Sequence, residues 1–227
     1  MKLWEHYYTP RTFAEASDLL ARHGGAARIM GGGTDLLLEI KQGHRSPVDA
    51  LIDVTHVDEL KHIVHDDDTI TIGAGVTHSQ IVRNETLAQR ATCLVESCGV
   101  VGGPQVRNVA TLGGNVAHAL PAADGTTSLV ALDAEAEIWQ NGERRWVPIL
   151  GMFQGPGQSL VDPTRDLLLN LRFKLAGPRE ASAFKRIMRP QGVALPVLAS
   201  AAWVRLAEDL ETIEETRVCI GPVGPVP

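Results

Sequence analysis

Two glycine clusters, about 80 residues apart, constrain this chain more than any other feature. The first, Gly31-Gly32-Gly33-Thr34-Asp35, follows a short strand-like segment, and the second, Gly113-Gly114-Asn115, precedes an apolar helical segment. Consecutive glycines let backbone N–H groups approach an anion without obstruction by side chains, and a following helix adds a favourable dipole. Either cluster alone is equally compatible with a plain tight turn. Two such loops, however, could clamp one dinucleotide from opposite sides.

Neither cluster has the spacing of a standard nucleotide motif. The chain places neither G-x-G-x-x-G nor G-x-x-x-x-G-K-[ST] at these loops, so an ordinary nicotinamide or ATP site is not indicated.

The composition restricts the classes of protein to which this chain can belong. The 227 residues are 44% hydrophobic, which allows a real core and one large or two modest domains. The formal net charge of -6, with no run of Lys and Arg, argues against a nucleic-acid partner. The segment MKLWEHYYTP lacks the apolar core of a secretory signal, and no stretch of about 18 apolar residues is present. We therefore expect a cytoplasmic protein with no integral membrane insertion.

The cysteines and histidines do not predict a metal site in this chain. Cys93 and Cys98 have the C-x4-C spacing of a plant-type iron-sulfur site, but the next ligand would fall at Val101, which cannot bind iron. We therefore expect Cys93 and Cys98 to be ordinary thiols packed in the core. His62 and His65, beside three aspartates, are better explained by an exposed strand and its turn.

The pattern up to about residue 56 predicts a small alternating unit of parallel type. Thr12 and Glu15 form a capping box ahead of an apolar face that stops at Gly24, which predicts a helix over 12–23. A strand over Ala27 to Met30, a helix over LLLEIKQ that ends before Gly43 and a strand around Ala50 to Val54 complete this unit.

From residue 57 the pattern predicts an α+β arrangement with largely antiparallel strands. A hairpin is expected over 61–65 and 69–73, and Thr77 to Gln80 repeats the capping signature before a long helical stretch. Asn141-Gly142 predicts a second hairpin, and DLLLNLRFKL a further strand. After Ala176-Gly177-Pro178, the segments SAFKRIM, LASAAWVRLA and TRVCIG predict a three-stranded meander.

These motifs together resemble a known family. The pair A-x-x-x-x-GGTDLL and T-x-GGN-x-AHA-x-PAAD, with AFKRIMRPQGVALPVLASA further on, is similar to the FAD-binding (medium) subunit of molybdenum hydroxylases of the xanthine dehydrogenase, carbon monoxide dehydrogenase and aldehyde oxidase type. The resemblance covers nearly the whole chain. It implies a two-lobed FAD-binding domain of the vanillyl-alcohol-oxidase or PCMH type over 1–176, with lobes of about 1–56 and 57–176. A small, partial α+β C-terminal domain, a β-meander, would follow over 177–227.

By the same resemblance, two loops would embrace the FAD pyrophosphate and four further residues would contact FAD. The expected cofactor-binding residues are Ile29, Met30, Gly31, Gly32, Gly33, Thr34, Asp35, Leu36, Val101, Thr111, Leu112, Gly113, Gly114, Asn115, Asp124, Leu167 and Lys185. Val101 and Leu167 would line the flavin. The Asp124 carboxylate should accept hydrogen bonds from sugar or ribityl hydroxyls, whereas Lys185 either neutralises cofactor charge or is a solvated lysine at a strand edge.

The chemistry of these residues adds three expectations. FAD should be bound noncovalently, since neither glycine cluster contains a histidine or cysteine. A β-branched residue at Gly32 or Gly114 should block approach of the backbone to a phosphate. No catalytic base or nucleophile is predicted in this chain.

The resemblance also implies partners. A large subunit with molybdenum cofactor would oxidise the substrate. The [2Fe-2S] clusters on a small subunit would carry the electrons to FAD on this chain, and FAD would pass them to an external acceptor. The complex would be a dimer of heterotrimers. Two alternatives remain open: a self-sufficient flavin oxidoreductase of the same fold, and a dinucleotide-binding assembly subunit without redox turnover. No cysteine lies between Asn115 and Pro121, which argues against the family members that reduce 4-hydroxybenzoyl-CoA.

Overall fold

Residues 4–53 build a small parallel α/β unit, which we call the first lobe. The computed structural model describes residues 3–190 and 193–227. The sheet has the strand order β1-β3-β2, and both neighbouring pairs are parallel. Its elements are β1 (Trp4–Tyr8), α1 (Phe13–His23), β2 (Ala27–Met30), α2 (Leu36–Lys41) and β3 (Val48–Asp53). The predicted parallel unit is confirmed, but the pattern does not predict β1, because three of its five residues are exposed and give no apolar alternation.

Helix α1 begins and ends where its capping residues predict. The Thr12 hydroxyl accepts a hydrogen bond from the Glu15 N–H at 3.2 Å, and Gly24 ends the helix with a φ of 54°. The Glu15 carboxylate accepts from the N–H of Arg11 at 2.7 Å rather than from that of Thr12. The second hydrogen bond of the predicted capping box therefore comes from the N–H of Arg11, one residue before Thr12.

The rest of the chain up to Lys174 forms the second lobe, a five-stranded antiparallel sheet with helices on one face. The strand order is β4-β5-β10-β6-β7. The sheet strands are β4 (Ile63–Asp66), β5 (Thr69–Gly73), β6 (Glu135–Gln140), β7 (Glu143–Pro148) and β10 (Leu167–Lys174), and a small hairpin consists of β8 (Phe153–Gly155) and β9 (Gln158–Ser159). The helices are α3 (His78–Val82), α4 (Glu85–Arg90), α5 (Thr92–Val100), α6 (Pro104–Arg107), α7 (Leu112–His118) and α8 (Asp124–Ala131).

The helical stretch after Thr77 is divided, contrary to the prediction of one long run. The predicted capping box is present, with Thr77 and Gln80 bonded reciprocally. Seven residues after Thr77, the Asn84 side chain accepts from the N–H of Leu87 at 2.9 Å and starts α4. At Ala91 a φ of -151° then separates α4 from α5. No helix in the described part of the chain is long and apolar enough to cross a bilayer.

Both predicted hairpins of the second lobe are confirmed. Asn141 and Gly142 have φ values of 55° and 85°, as expected of a two-residue turn that matches the twist of its strands. Strand β10 lies in the middle of the sheet and is buried on both faces. Leu168 and Leu171 pack with the helices, whereas Leu167 and Leu169 pack against the first lobe, together with Leu20 and Ile52. The sheet thus joins two hydrophobic cores.

The predicted meander is confirmed as the antiparallel sheet β11-β12-β13. Its strands are Glu180–Met188, Pro196–Leu206 and Ile213–Gly221. It packs against α5 and α8, and its inner face carries Phe184 and Trp203 into the core of the second lobe. Glu96 of α5 accepts a hydrogen bond from the Phe184 N–H at 2.6 Å, which fixes the first strand to the helix.

Removal of the Phe184 ring is expected to loosen this attachment. The side chain is 3% exposed, so Phe184→Ala should lower the free energy of unfolding by about 3–5 kcal/mol. Ile187, on the opposite face of the same strand, is 65% exposed and serves as the matched control. Ile187→Ala should change the value by less than about 1 kcal/mol. Urea unfolding followed by circular dichroism measures both, and equal losses would contradict the packing described here.

Candidate functional site

Both glycine clusters open onto one cavity of about 400 Å³. Its walls come from the first lobe, the second lobe and the start of the meander, and its volume is typical of small-molecule sites. Fifteen predicted site residues line it: Ile29, Met30, Gly31, Gly32, Gly33, Thr34, Asp35, Leu36, Val101, Thr111, Gly113, Gly114, Asn115, Asp124 and Leu167. The chain therefore brings together segments that are far apart in sequence.

The first glycine loop presents free hydrogen-bond donors. Within the described ranges, the backbone N–H groups of Gly32, Gly33 and Thr34 donate to no protein acceptor. Gly33 has a φ of 69°, a conformation that favours glycine. Successive unpaired N–H groups of this kind form a concavity that suits a phosphate oxygen.

The second glycine loop differs, since its backbone donors are already used. The N–H of Leu112 donates to Val76 O at 3.0 Å, that of Gly113 to Ala74 O at 3.1 Å, and that of Gly114 to Thr111 Oγ1 at 3.0 Å. The first two of these hydrogen bonds hold the second loop against the segment after β5. It lines the cavity without offering the donors that the sequence analysis expected of it.

The role of Gly32 also differs from the expectation. A Cβ at Gly32 would lie 2.0 Å from the carbonyl oxygen of Val109, not in the path of a ligand. Gly32 therefore allows the first loop to touch the chain just before the second loop. A side chain here would separate the two lobes.

Three polar side chains in the cavity lining are incompletely paired. Asp124 accepts a hydrogen bond from Arg186 at 2.6 Å through one carboxylate oxygen. The other oxygen, together with Asn115 Oδ1 and Arg186 Nε, is buried with no partner in the described part of the chain. Burial raises the pKa of Asp124 to about 6, although the charge of Arg186 opposes that rise.

An unsatisfied buried polar group costs about 1–3 kcal/mol. A ligand rich in hydroxyl groups would therefore suit these side chains, and a phosphate would suit the first loop. The residues present fit a flavin dinucleotide on both counts.

Two predicted site residues lie off the cavity. The Leu112 side chain is fully buried in the core of the second lobe. Lys185 has an 86% exposed side chain, and its ammonium lies 3.4 Å from Glu96. Strand alternation gives the reason for Lys185: Phe184 and Arg186 point inward, so Lys185 points outward. Arg186 is the cation that this strand brings to the cavity.

The sequence did not predict the other charged or titratable side chains that line the cavity. They are Arg28, Glu39, Arg45, His78, His118, Asp166 and Arg186. The Nε2 of His118 donates to Glu39 Oε1 at 2.8 Å, and Glu39 accepts from Arg45 Nε at 2.7 Å. This chain of contacts joins the end of α7 to α2. Only strand and helix periodicity could have indicated which of these side chains face inward.

A buried histidine lies near Val101. His78 is 1% exposed, and its Nδ1 lies 3.3 Å from Cys98 Sγ. Burial, assisted by the charge of Arg107, lowers the pKa of His78 to about 4, and burial raises the pKa of Cys93 to about 11. His78 is therefore neutral at physiological pH. Among the described residues, no group of three or more His, Cys, Asp or Glu side chains is arranged to hold a metal ion.

A family of known proteins matches most of this chain. The family described as "FAD binding domain in molybdopterin dehydrogenase" matches residues 2–173. The xanthine dehydrogenase FAD-binding subunit of Escherichia coli is 30% identical over 225 residues, which are 97% of this chain and 75% of that protein. The carbon monoxide dehydrogenase medium chain of Hydrogenophaga pseudoflava is 26% identical over 219 residues, 96% of this chain and 75% of that protein.

Solved structures agree with the sequence comparison. A carbon monoxide dehydrogenase chain from Hydrogenophaga pseudoflava superposes with a TM-score of 0.91 at 26% identity, over 97% of this chain and 75% of that chain. The predicted α+β fold class is confirmed.

Addition of one methyl group at Gly32 should disrupt the contact between the lobes. Gly32→Ala cannot be accommodated without a shift of the Val109 backbone, so we expect destabilisation of about 1–3 kcal/mol and loss of bound FAD. Gly151→Ala is the control, since a Cβ there meets nothing within 4 Å. Melting temperature and flavin absorbance per chain measure the two effects. Normal flavin content in Gly32→Ala would contradict the role assigned to this glycine.

The buried His78 should make stability depend on pH. The imidazole of the unfolded chain takes up a proton below about pH 6.5, whereas that of the folded protein does so only near pH 4. The unfolded state binds more protons between these values, so this group makes the free energy of unfolding rise with pH in that window and remain level above it. Asp124, with its raised pKa, contributes the opposite slope up to about pH 6.

The test of His78 therefore compares variants rather than the wild type alone. The difference in unfolding free energy between the wild type and His78→Gln should grow as pH rises from about 4 to 6.5. Chemical unfolding at a series of pH values measures it. A difference that is independent of pH would show that His78 titrates normally in the folded protein.

Proposed function

Because this chain belongs to the family of FAD-binding domains of molybdopterin dehydrogenases, we propose that it is the electron-relay subunit of a molybdenum hydroxylase complex. Substrate oxidation takes place on a partner with molybdenum cofactor, and the electrons reach this chain through [2Fe-2S] clusters of a second partner. They leave to an external acceptor. The family match agrees with FAD as the expected cofactor.

One observation carries the proposal. Loops from both lobes converge on one cavity whose lining, among the described residues, includes unpaired backbone donors and unpaired polar side-chain atoms. A dinucleotide needs this combination, since it carries acceptor oxygens on its phosphates and hydroxyl groups on the ribityl chain and the ribose.

The protein's own residues then have distinct tasks. The N–H groups of Gly32, Gly33 and Thr34 hold the pyrophosphate, and Asp124, oriented by Arg186, accepts from a ribityl or sugar hydroxyl. Val101 and Leu167 supply apolar surface that excludes water from the flavin. When bound, the isoalloxazine supplies the redox chemistry. No proton transfer by a side chain of this chain is required.

The proposal includes an assembly with partners. Two relatives are named as the FAD-binding subunit of a xanthine dehydrogenase and the medium chain of a carbon monoxide dehydrogenase. The outer face of the meander exposes Ile187, Val218 and Ile220, an apolar surface of the kind that partners cover. A dimer of heterotrimers, a cytoplasmic location and a domain boundary near residue 176 belong to the same proposal. The family match, which ends at residue 173, supports that boundary.

Substrate-dependent bleaching of the flavin tests the relay. The purified chain should contain noncovalent FAD that is released on denaturation and reduced by dithionite, yet it should not be bleached by the substrate of the complex. Addition of the cluster-bearing and molybdenum-bearing subunits should restore bleaching. Rapid bleaching of the isolated chain would favour the self-sufficient flavoenzyme, and a colourless chain that cannot be loaded with FAD would favour the assembly subunit.

A further inference from the structure

Arg28 is a half-buried cation without a matching anion. It lies on β2 directly before the first glycine loop and lines the cavity. In the part of the chain that the structure describes, its guanidinium forms no hydrogen bond or ion pair. Burial, followed by the positive charge of Arg45, lowers the pKa of Arg28. Since an arginine stays protonated at any physiological pH, this arrangement is unfavourable for the protein alone.

The nearby carboxylates do not neutralise Arg28 by contact. Glu39 and Asp162 favour its charged form through space. Glu39, however, is already bonded to Arg45 at 2.7 Å and to His118 at 2.8 Å. Asp162 accepts from the N–H and the hydroxyl of Thr164, at 2.9 and 2.8 Å. Glu39 therefore uses both oxygens elsewhere, and the second oxygen of Asp162 lies 3.7 Å from Arg165 Nε.

A second cavity begins at this point. It has a volume of about 520 Å³ and shares Arg28, Arg45 and His118 with the cavity of the glycine loops. Its remaining walls are mostly polar and include Gln140, Gln154, Gln158, Ser159 and Arg165. We call it the side cavity. Arg165 is paired with Asp162 and Asp166 at 3.7 and 3.5 Å, so Arg28 is its uncompensated cation among the described residues.

We propose that Arg28 and Arg45 form an oxyanion subsite at the junction of the two cavities, which binds a phosphate group. This inference rests on the proposed function and adds two contact residues to it. A guanidinium offers paired N–H donors with the geometry of a phosphate, and an anion between two guanidinium groups removes their mutual repulsion. The surrounding amides and hydroxyl can donate to the remaining oxygens.

The phosphate can come from two sources with the same chemistry. It can belong to FAD itself, whose pyrophosphate would extend from the first glycine loop to Arg28. Alternatively, it can belong to a second phosphate-bearing molecule in the side cavity, placed beside the flavin as an electron acceptor would be. Occupancy of the FAD site distinguishes the two.

Inorganic pyrophosphate is the probe, titrated calorimetrically into flavin-free and FAD-loaded protein. Arg28→Gln should weaken pyrophosphate binding by about tenfold or more, as expected for loss of a charge-assisted contact. Arg28→Lys, which keeps the charge and loses the paired donors, should lie between. Arg83→Gln removes the same charge from an exposed site away from both cavities and should bind as the wild type does.

Each outcome decides the proposal. If pyrophosphate still binds in an Arg28-dependent way after FAD loading, the subsite belongs to a second molecule. If pyrophosphate binds only to the flavin-free protein, the subsite belongs to the FAD phosphates. Both results support the proposal. Equal affinities of Arg28→Gln and the wild type, or no binding to either form of the wild type at millimolar pyrophosphate, would overturn it. A chain that takes up no FAD but shows Arg28-dependent pyrophosphate binding would refute the proposed function and leave the subsite intact.

Discussion

The contact between Gly32 and the Val109 carbonyl is the constraint on which the site depends. Backbone meets backbone there with no space for a Cβ, so the first lobe can approach the second closely enough to close one cavity between them. A second backbone contact joins the lobes, since the N–H of Ile29 donates to the carbonyl oxygen of Pro163 at 2.8 Å. Side-chain contacts, such as Phe13 on Trp139 and His118 with Glu39, can adjust, whereas backbone contacts fix the distance. The first glycine cluster therefore has two roles: it allows two chain segments to approach closely, and it offers free backbone donors.

Incomplete pairing is the second feature that unites the structure. The protein interior generally pairs its buried polar groups, yet the cavity collects Arg28, Asp124 and Asn115 with atoms or charges that lack partners within the described residues. These groups lie at different places along the cavity walls. A single extended ligand with phosphates and hydroxyls would satisfy more than one of them. The cost of leaving them unpaired is consistent with a site that is stabilised when it is filled.

Local signals in the sequence predicted much of the fold but less of the site. The cap at Thr12, the turn at Asn141-Gly142 and the strand alternation of the meander depend on neighbouring residues, so their predictions held. Strand β1 was not predicted because three of its five residues are exposed and show no apolar alternation. The predicted long helical stretch was wrong because the cap at Asn84 starts a new helix. Side-chain direction was the harder problem: the resemblance indicated Lys185, but the strand directs Arg186 to the cavity. The use of the second loop's donors by Ala74 and Val76 depends on tertiary pairing, which no local pattern encodes.

Amide hydrogen exchange of the flavin-free and FAD-loaded protein tests the central claim most directly. If the first glycine loop holds the pyrophosphate, the N–H groups of Gly32, Gly33 and Thr34, which donate to no protein acceptor among the described residues, should gain protection when FAD binds. The N–H groups of Leu112 and Gly113, already bonded to Val76 and Ala74, should change much less. Protection at the second loop without any at the first would contradict the account.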